Sequence, residues 1–232
     1  MAEIDLSSRV LEFDDASQVV EEYFARGWTD GLPIVPPTPE RVRRSLASGG
    51  RSPSDILGTE PTKGRVITAE KVAVNAVMAG CLPEHFPVIA AAVEALCEPE
   101  FNLHAVTAST MGAAVLVVVN GPVAAEIGVN SGVNVFGPGH RANATIGRAI
   151  RLVIINATGS SSGEIDNATL GHPGKYTFCM AEAEAVSPWE PLHVERGFAE
   201  QDSVVSIFAA LSGIQVSNHA SQAPGAILTS FR

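Results

Sequence analysis

The middle of the chain reads GVNSGVNVFGPGHRANATIGRAIRLVIIN from Gly128 to Asn156, a glycine-rich loop that runs directly into an amphipathic segment. Ile146, Ile150, Val153 and Ile154 recur at helical spacing and form one apolar face. The pattern predicts an ordered loop followed by a helix that packs against a core.

The start of this helix has the chemistry of an anion site. A helix N-terminus offers free backbone N–H groups and a partial positive charge. We expect a substrate carboxylate or phosphate to be bound here by Asn130, Ser131, Arg141, Asn143 and Arg148. The alternative is a long ordered turn capped by a helix, because neither GxGxxG nor GxxxxGK[ST] is present.

The segments on either side predict an α/β or α+β fold, with a mixed sheet and flanking helices. The continuous apolar run 113–120 lies between two glycines, which is typical of a buried strand. Further strands are expected at 175–183 and 204–210, and weaker ones at 102–109 and 214–216.

Capping residues and helical spacing predict the helices. They are expected at 16–26, from Thr38 to the Gly49-Gly50 pair, at 69–78, from Pro83 onward and at 122–127. Residues 51–65 are a polar connector by composition. The chain therefore divides into an N-terminal helical and proline-rich segment, residues 1–65, packed on an α/β core, residues 66–232.

Composition narrows the class of protein. Of 232 residues only 17% are charged, which predicts surface buried in a homo- or hetero-oligomer. A formal net charge of −10 argues against nucleic acid but allows a local positive pocket. Without a signal-peptide pattern or a membrane-length apolar run, we expect a cytoplasmic protein whose three cysteines are free thiols and which does not engage membranes.

Cys81 is the first candidate catalytic residue. It precedes Pro83, at the expected N-terminus of a helix, and such a position lowers the pKa of a thiol. The sequence predicts a thiolate nucleophile, and the alternative is a small buried cysteine in a tight turn.

Two charged residues in turns are further candidates. Asp30, in Thr-Asp-Gly, is either a general acid/base or the first residue of an Asx-turn. Lys175 is expected to pair with a substrate carboxylate, or with Asp166 and Glu164 of the preceding loop.

His193 and Glu195 lie in a proline-stiffened stretch, residues 188–196. If this stretch is extended, alternate side chains share a face, so the carboxylate would orient the imidazole as a general base. The same histidine, with His172 and Cys179, is an alternative metal-binding set. A surface salt bridge between Glu195 and a basic residue is the structural alternative.

Six motifs carry a resemblance to a known family. They are Gly27–Thr38, Met78–Glu84, Val119–Pro122, Gly137–Arg148, Gly171–Tyr176 and Pro188–Gly197. From about Glu22 onward the chain resembles a bacterial family that lacks a well-defined activity and is associated with the UGSC-motif redox and selenoprotein group. The resemblance implies an enzyme-like pocket and family members that continue further, so that a companion subunit is expected. The chain has no Cys-Gly-Ser-Cys, so no redox centre is carried over.

Together these features predict an enzyme, or an enzyme subunit, that acts on a small anionic metabolite. The reaction stays open between hydrolase or lyase chemistry and thiol-based transfer. No cofactor is evident from the residues. The alternatives are a non-catalytic or half-site subunit of a hetero-oligomeric enzyme and a metal-dependent hydrolase or lyase.

Overall fold

A computed structural model describes residues 5–231, which form helices around a small mixed sheet. The strands are β1 Ile56–Glu60, β2 Arg65–Thr68, β3 Ala114–Asn120, β4 Cys179–Ala181 and β5 Val204–Ala210. The helices are α1 Ala16–Ala25, α2 Pro39–Ser48, α3 Ala69–Ala79, α4 Phe86–Leu96, α5 Leu103–Thr107, α6 Pro122–Glu126, α7 Arg141–Val153, α8 Leu192–Glu195 and α9 Pro224–Thr229. The predicted fold class is confirmed.

β3 is the central strand of the main sheet, in the order β4-β3-β5. It runs parallel to β4, with Val117 opposite Cys179, and antiparallel to β5, with Val117 opposite Ile207. Six of its seven residues are buried, as expected for a strand covered on both faces. β1 and β2 form a separate antiparallel hairpin.

The helical layer is built around the contact between α3 and α7. α3 is buried on nearly every side, and Thr68 caps it by accepting a hydrogen bond from the Lys71 N–H. α7 lies close to the chain leading into β4, because a Cβ at Gly147 would come within 2.5 Å of the Phe178 nitrogen. Only glycine allows this approach without a local shift.

The expected helices are confirmed, as are the strands at 113–120 and 204–210. Three expectations are wrong and one, the strand at 175–183, is confirmed only in part. Residues 51–65 contain β1, residues 102–109 contain the helix α5, the strand expected at 175–183 covers only β4, and residues 214–216 are not a strand. The sequence does not predict β1, because its Gly58 is a weak strand former. The glycine is needed there, since a Cβ would lie 2.4 Å from the Cys97 sulfur.

The predicted division at residue 65 falls at the first residue of β2, whose partner strand β1 lies before it. The two-part organisation stays a prediction. Within residues 5–231, no helix is long and apolar enough to cross a membrane.

Candidate functional site

A cleft of about 1000 Å³ opens beside the N-terminal part of the chain. It is lined by the N-terminal arm, residues 5–13; by α1 and Trp28; by the proline segment, residues 36–39, with the start of α2; by α3; and by Asn156. We call it the N-terminal cleft. Its volume lies at the upper end of the range for small-molecule sites in proteins.

The walls of the N-terminal cleft are mainly apolar and aromatic. Phe13, Tyr23 and Trp28 follow one another in edge-to-face contact, with ring centroids 6.4 and 5.2 Å apart. Met78 and Val74 of α3 supply apolar surface as well. Burial raises the pKa of the Tyr23 hydroxyl, as expected for a phenol on an apolar wall.

Cations at the cleft keep free hydrogen-bond donors. Arg41 uses one N–H on the Pro36 carbonyl at 3.0 Å, and the Lys71 ammonium donates to the Val66 carbonyl at 3.0 Å. Arg9 has no hydrogen bond or ion pair within the described residues. An arginine has five N–H donors and a lysine three, so each of these side chains still has donors to offer a ligand.

Two of the three carboxylates on the cleft wall are occupied by backbone N–H groups. Asp15 caps α1 by accepting from Ser17 and Gln18. Glu70 accepts from the backbone N–H groups of Ser7 at 2.9 Å and Ser8 at 2.8 Å. Asp15 and Glu70 thus stabilise local structure, whereas Asp5, the third carboxylate, has no hydrogen bond or ion pair with the described residues. Arg9, Arg41 and Lys71 outnumber this one unpaired carboxylate, which favours an anionic ligand.

The floor of the cleft is polar and connects it to the end of α7. The Asn156 amide donates to the Asn75 side-chain oxygen at 2.7 Å and to the Trp28 carbonyl at 2.9 Å. Asn75 in turn donates to the Lys71 carbonyl at 2.8 Å. This chain of bonds fixes the Trp28 backbone and α3 relative to each other.

The residues predicted to bind an anion at the start of α7 have mostly structural partners. Arg148 donates to both carboxylate oxygens of Asp30 at 2.7 and 2.8 Å and to the carbonyls of Leu32 and Pro33. The Asx-turn alternative for Asp30 is confirmed, because its Oδ1 accepts from the Leu32 N–H at 3.2 Å. Arg148 and Asp30 therefore fasten the proline-rich segment to α7.

The two asparagines and Ser131 shape the loop itself. Asn143 accepts from the Asn130 N–H at 2.8 Å and donates to the carbonyls of Asn130 and Cys179. The Asn130 side chain bonds within the loop, to Gly132 and Val133. Ser131 is half-buried in the same loop. These contacts match the ordered-turn alternative.

Arg141 is exposed at the start of α7, as an anion-binding residue there would be. Its guanidinium is exposed and donates twice to the Gly80 carbonyl, at 2.8 and 3.1 Å. This contact joins the first turn of α7 to the end of α3. His140 provides no side-chain cap, so the first N–H groups of α7 have no such partner.

The expected low pKa of Cys81 is wrong. Burial raises the pKa of its thiol to about 12, and the sulfur donates to the Thr145 carbonyl at 3.2 Å. The nearby guanidinium groups of Arg141 and Arg148 lower that pKa but do not offset burial. Cys81 is half-buried and Cys179 is fully buried, and burial raises the pKa of the Cys179 thiol as well, so both are thiols at neutral pH.

The predicted pairing of His193 with Glu195 is also wrong. The stretch is not extended there but forms α8, in which residues two apart point to different sides. His193 is fully buried, with its Nε2 3.3 Å from the Glu200 carbonyl and its Nδ1 3.8 Å from Glu184, whereas Glu195 is exposed. The carboxylate facing this imidazole is therefore Glu184.

Lys175 and the alternative metal set also have structural contacts. Lys175 donates to both oxygens of Asp166, at 2.6 and 2.7 Å, which is the internal pairing considered from sequence. His172 contacts the Gly174 N–H and the Ala210 carbonyl through its two ring nitrogens. Within residues 5–231, no group of three or more His, Cys, Asp and Glu side chains is placed to hold a metal, so the structure does not bring His172, Cys179 and His193 together as ligands.

The chain matches no protein-family model, no curated protein and no solved structure. The resemblance to the UGSC-associated family therefore stays a prediction.

None of the side chains predicted as catalytic or substrate-binding lines the N-terminal cleft. Sequence patterns did not indicate the cleft, because its walls come from segments that lie far apart in the chain and share no motif. The available signals were the aromatic Tyr23 and Trp28 followed by a rigid run of prolines. Such a pattern predicts a rigid apolar segment, but it does not predict which other segments of the chain lie opposite it.

Proposed function

We propose that this chain is an enzyme subunit that binds a small molecule with an apolar body and an anionic group in the N-terminal cleft. The observation that supports this most is the combination of an aromatic wall with Arg9, Arg41 and Lys71 around one opening of about 1000 Å³. The apolar body would contact Phe13, Tyr23 and Trp28, and the anion would accept hydrogen bonds from the cations.

The proposal retains the small anionic ligand inferred from sequence and moves it from the start of α7 to the cleft. At α7, Arg148 is already paired with Asp30 and Asn143 with the backbone. At the cleft, Arg9, Arg41 and Lys71 have free donors, and the carboxylates Asp15 and Glu70 are satisfied locally. A bidentate anion such as a carboxylate or phosphate suits the geometry of a guanidinium.

We further propose that the chain binds substrate in a larger enzyme whose reacting groups come from another subunit. None of the candidate catalytic side chains lines the cleft, and burial keeps Cys81 a thiol. Large apolar side chains are also strongly exposed, including Leu170 at 95% and Trp189 at 80%. Such surface is typical of a protein that associates with others. The proposed assembly is cytoplasmic and belongs to the UGSC-associated family.

Isothermal titration calorimetry tests the ligand class. The probes are naphthalene-2-carboxylate and its neutral alcohol analogue, naphthalene-2-methanol. We expect the carboxylate to bind more tightly, and Arg9→Gln or Arg41→Gln to weaken its binding by about 10-fold each, the effect of a hydrogen bond to a charged group.

Arg44→Gln is the matched control, because Arg44 is an exposed residue of α2 outside the cleft lining. It should leave the affinity unchanged. Equal affinity for acid and alcohol, with no effect of the variants, would refute the anionic ligand. Absence of heat with either probe at millimolar concentration would contradict the cleft as a binding site for this class.

A further inference from the structure

The main sheet has two edges, and the structure covers only one of them. At the β4 edge, the Asn143 amide donates to the Cys179 carbonyl and the Ala181 N–H donates to the Asn130 carbonyl. The β5 edge has no such cover from the described residues, except that His172 contacts the carbonyl of its last residue, Ala210. β5 therefore presents an open strand edge.

The register shows which backbone groups of β5 are unpaired. The Val117 N–H donates to the Phe178 carbonyl, so Val117 directs its backbone groups to β4 and the adjacent Val118 directs its own to β5. Because Val118 lies opposite Ser206, the residues 204, 206, 208 and 210 bond to β3. The N–H and C=O groups of Val205, Ile207 and Ala209 then point outward.

This edge lacks the features that protect exposed strands from association. Residues 204–210 read VVSIFAA, with no charged residue and no proline, and their register with β3 has no bulge. Natural edge strands usually have a charge, a proline or a bulge at such positions. The shorter hairpin strands β1 and β2 do carry charges, at Glu60 and Arg65.

We propose that β5 pairs antiparallel with β5 of a second copy of this chain, about a two-fold axis at Ile207, so that the two sheets become one. This inference is independent of the ligand proposed for the cleft. In this register the residues whose backbone groups point outward lie opposite one another. Ile207 of one copy pairs with Ile207 of the other, and Val205 of one copy pairs with Ala209 of the other.

The same register matches side-chain sizes across the two strands. Phe208, which is 38% exposed, lies opposite Ser206, and Val204 lies opposite Ala210. Away from the axis each larger side chain thus faces a small one, and at the axis two Ile207 side chains meet as a β-branched apolar pair. The absence of charge on β5 means that no like charges meet at the axis. A strand that is complementary to itself in this way fits a second copy, because an isologous interface uses the same surface twice.

Sedimentation velocity of the full chain tests the pairing. We expect the wild type to sediment with twice the mass of the 24.2 kDa chain. Ala209→Pro removes an outward N–H and leaves every bond to β3 in place, a change that edge strands tolerate. Because the two-fold axis doubles the loss, we expect the dimer dissociation constant to rise by about 30-fold or more, the effect of two hydrogen bonds.

Ala209→Val is the matched control, because it keeps the N–H and should remain dimeric. Far-UV circular dichroism establishes that both variants are folded, and if Ala209→Pro is unfolded, Phe208→Lys replaces it, since an edge lysine blocks pairing. A wild type that is still monomeric at about 100 μM would overturn the proposal, because its dimer affinity would then be too weak for a specific dimer. So would a folded Ala209→Pro or Phe208→Lys variant with wild-type dimer affinity.

Discussion

Replacing Asp30 with asparagine should strongly destabilise the protein. Asp30 and Arg148 form a two-point ion pair with side chains only 3% and 14% exposed. Asparagine keeps the shape of the residue but removes its charge, so Arg148 is left buried without a counter-ion. Arg148 would still donate to the carbonyls of Leu32 and Pro33.

The expected loss of unfolding free energy is about 3 kcal/mol. Breaking a buried pair from one side costs roughly 3–5 kcal/mol, because an uncompensated charge stays inside. We take the lower end, since the two carbonyls continue to solvate the guanidinium. For a chain of this length, that loss corresponds to a fall of roughly 6–12 °C in the melting temperature.

Urea unfolding followed by circular dichroism measures this change, with Glu22→Gln as the control. Glu22 pairs with Arg26 on the surface of α1, and the two side chains are 41% and 35% exposed. An exposed pair of this kind contributes about 0.3–0.5 kcal/mol. If Asp30→Asn lowered the unfolding free energy no more than the control does, the structural role assigned to Asp30 would be refuted.

Two other groups give measurable predictions. At pH 8, native Cys81 should react with iodoacetamide at least about 30-fold more slowly than in urea, because a pKa of about 12 leaves roughly 1,000-fold fewer thiolates and the greater nucleophilicity of a more basic thiolate offsets only part of that loss; mass spectrometry of labelled peptides measures the rates, and a native rate within tenfold of the unfolded one would contradict the raised pKa. For Glu70, burial raises its pKa but the hydrogen bonds from Ser7 and Ser8 outweigh it, so the folded pKa lies below the ordinary 4.5. Its contribution is therefore present above pH 4.5 and lost as pH falls through the folded pKa. Thermal unfolding should show Glu70→Gln less stable than wild type by about 2 kcal/mol at pH 7, with the difference shrinking below pH 4.5. A constant difference across pH would contradict the role of the ionised Glu70 carboxylate in accepting hydrogen bonds from Ser7 and Ser8.

Local sequence signals predicted most of the elements. Thr38 predicts the start of α2, helical spacing predicts α3 at 69–78, and the apolar run at 113–120 predicts β3. These signals work because they depend on neighbouring residues alone. Local patterns do not predict β1, because its Gly58 packs closely against Cys97, which is distant in the sequence.

The site was harder to predict because its residues are paired across long stretches of chain. Arg148 lies on α7 with a charge that would suit an anion, but it is paired with Asp30, which is 118 residues away in the sequence. Glu70 lies in the first turn of α3, where an acidic residue is common, and no local pattern indicates that it accepts hydrogen bonds from Ser7 and Ser8 of the N-terminal arm. His193 has a nearby glutamate in sequence, but a short helix turns it towards Glu184 instead.

The most direct test of the N-terminal cleft is a crystal structure of the protein with naphthalene-2-carboxylate. The account predicts the ring against Phe13, Tyr23 and Trp28 and the carboxylate within hydrogen-bond distance of Arg9, Arg41 or Lys71, at about 2.7–2.9 Å. Electron density for the carboxylate at the first turn of α7, with the cleft empty, would contradict the account and restore Arg141 as the anion-binding residue.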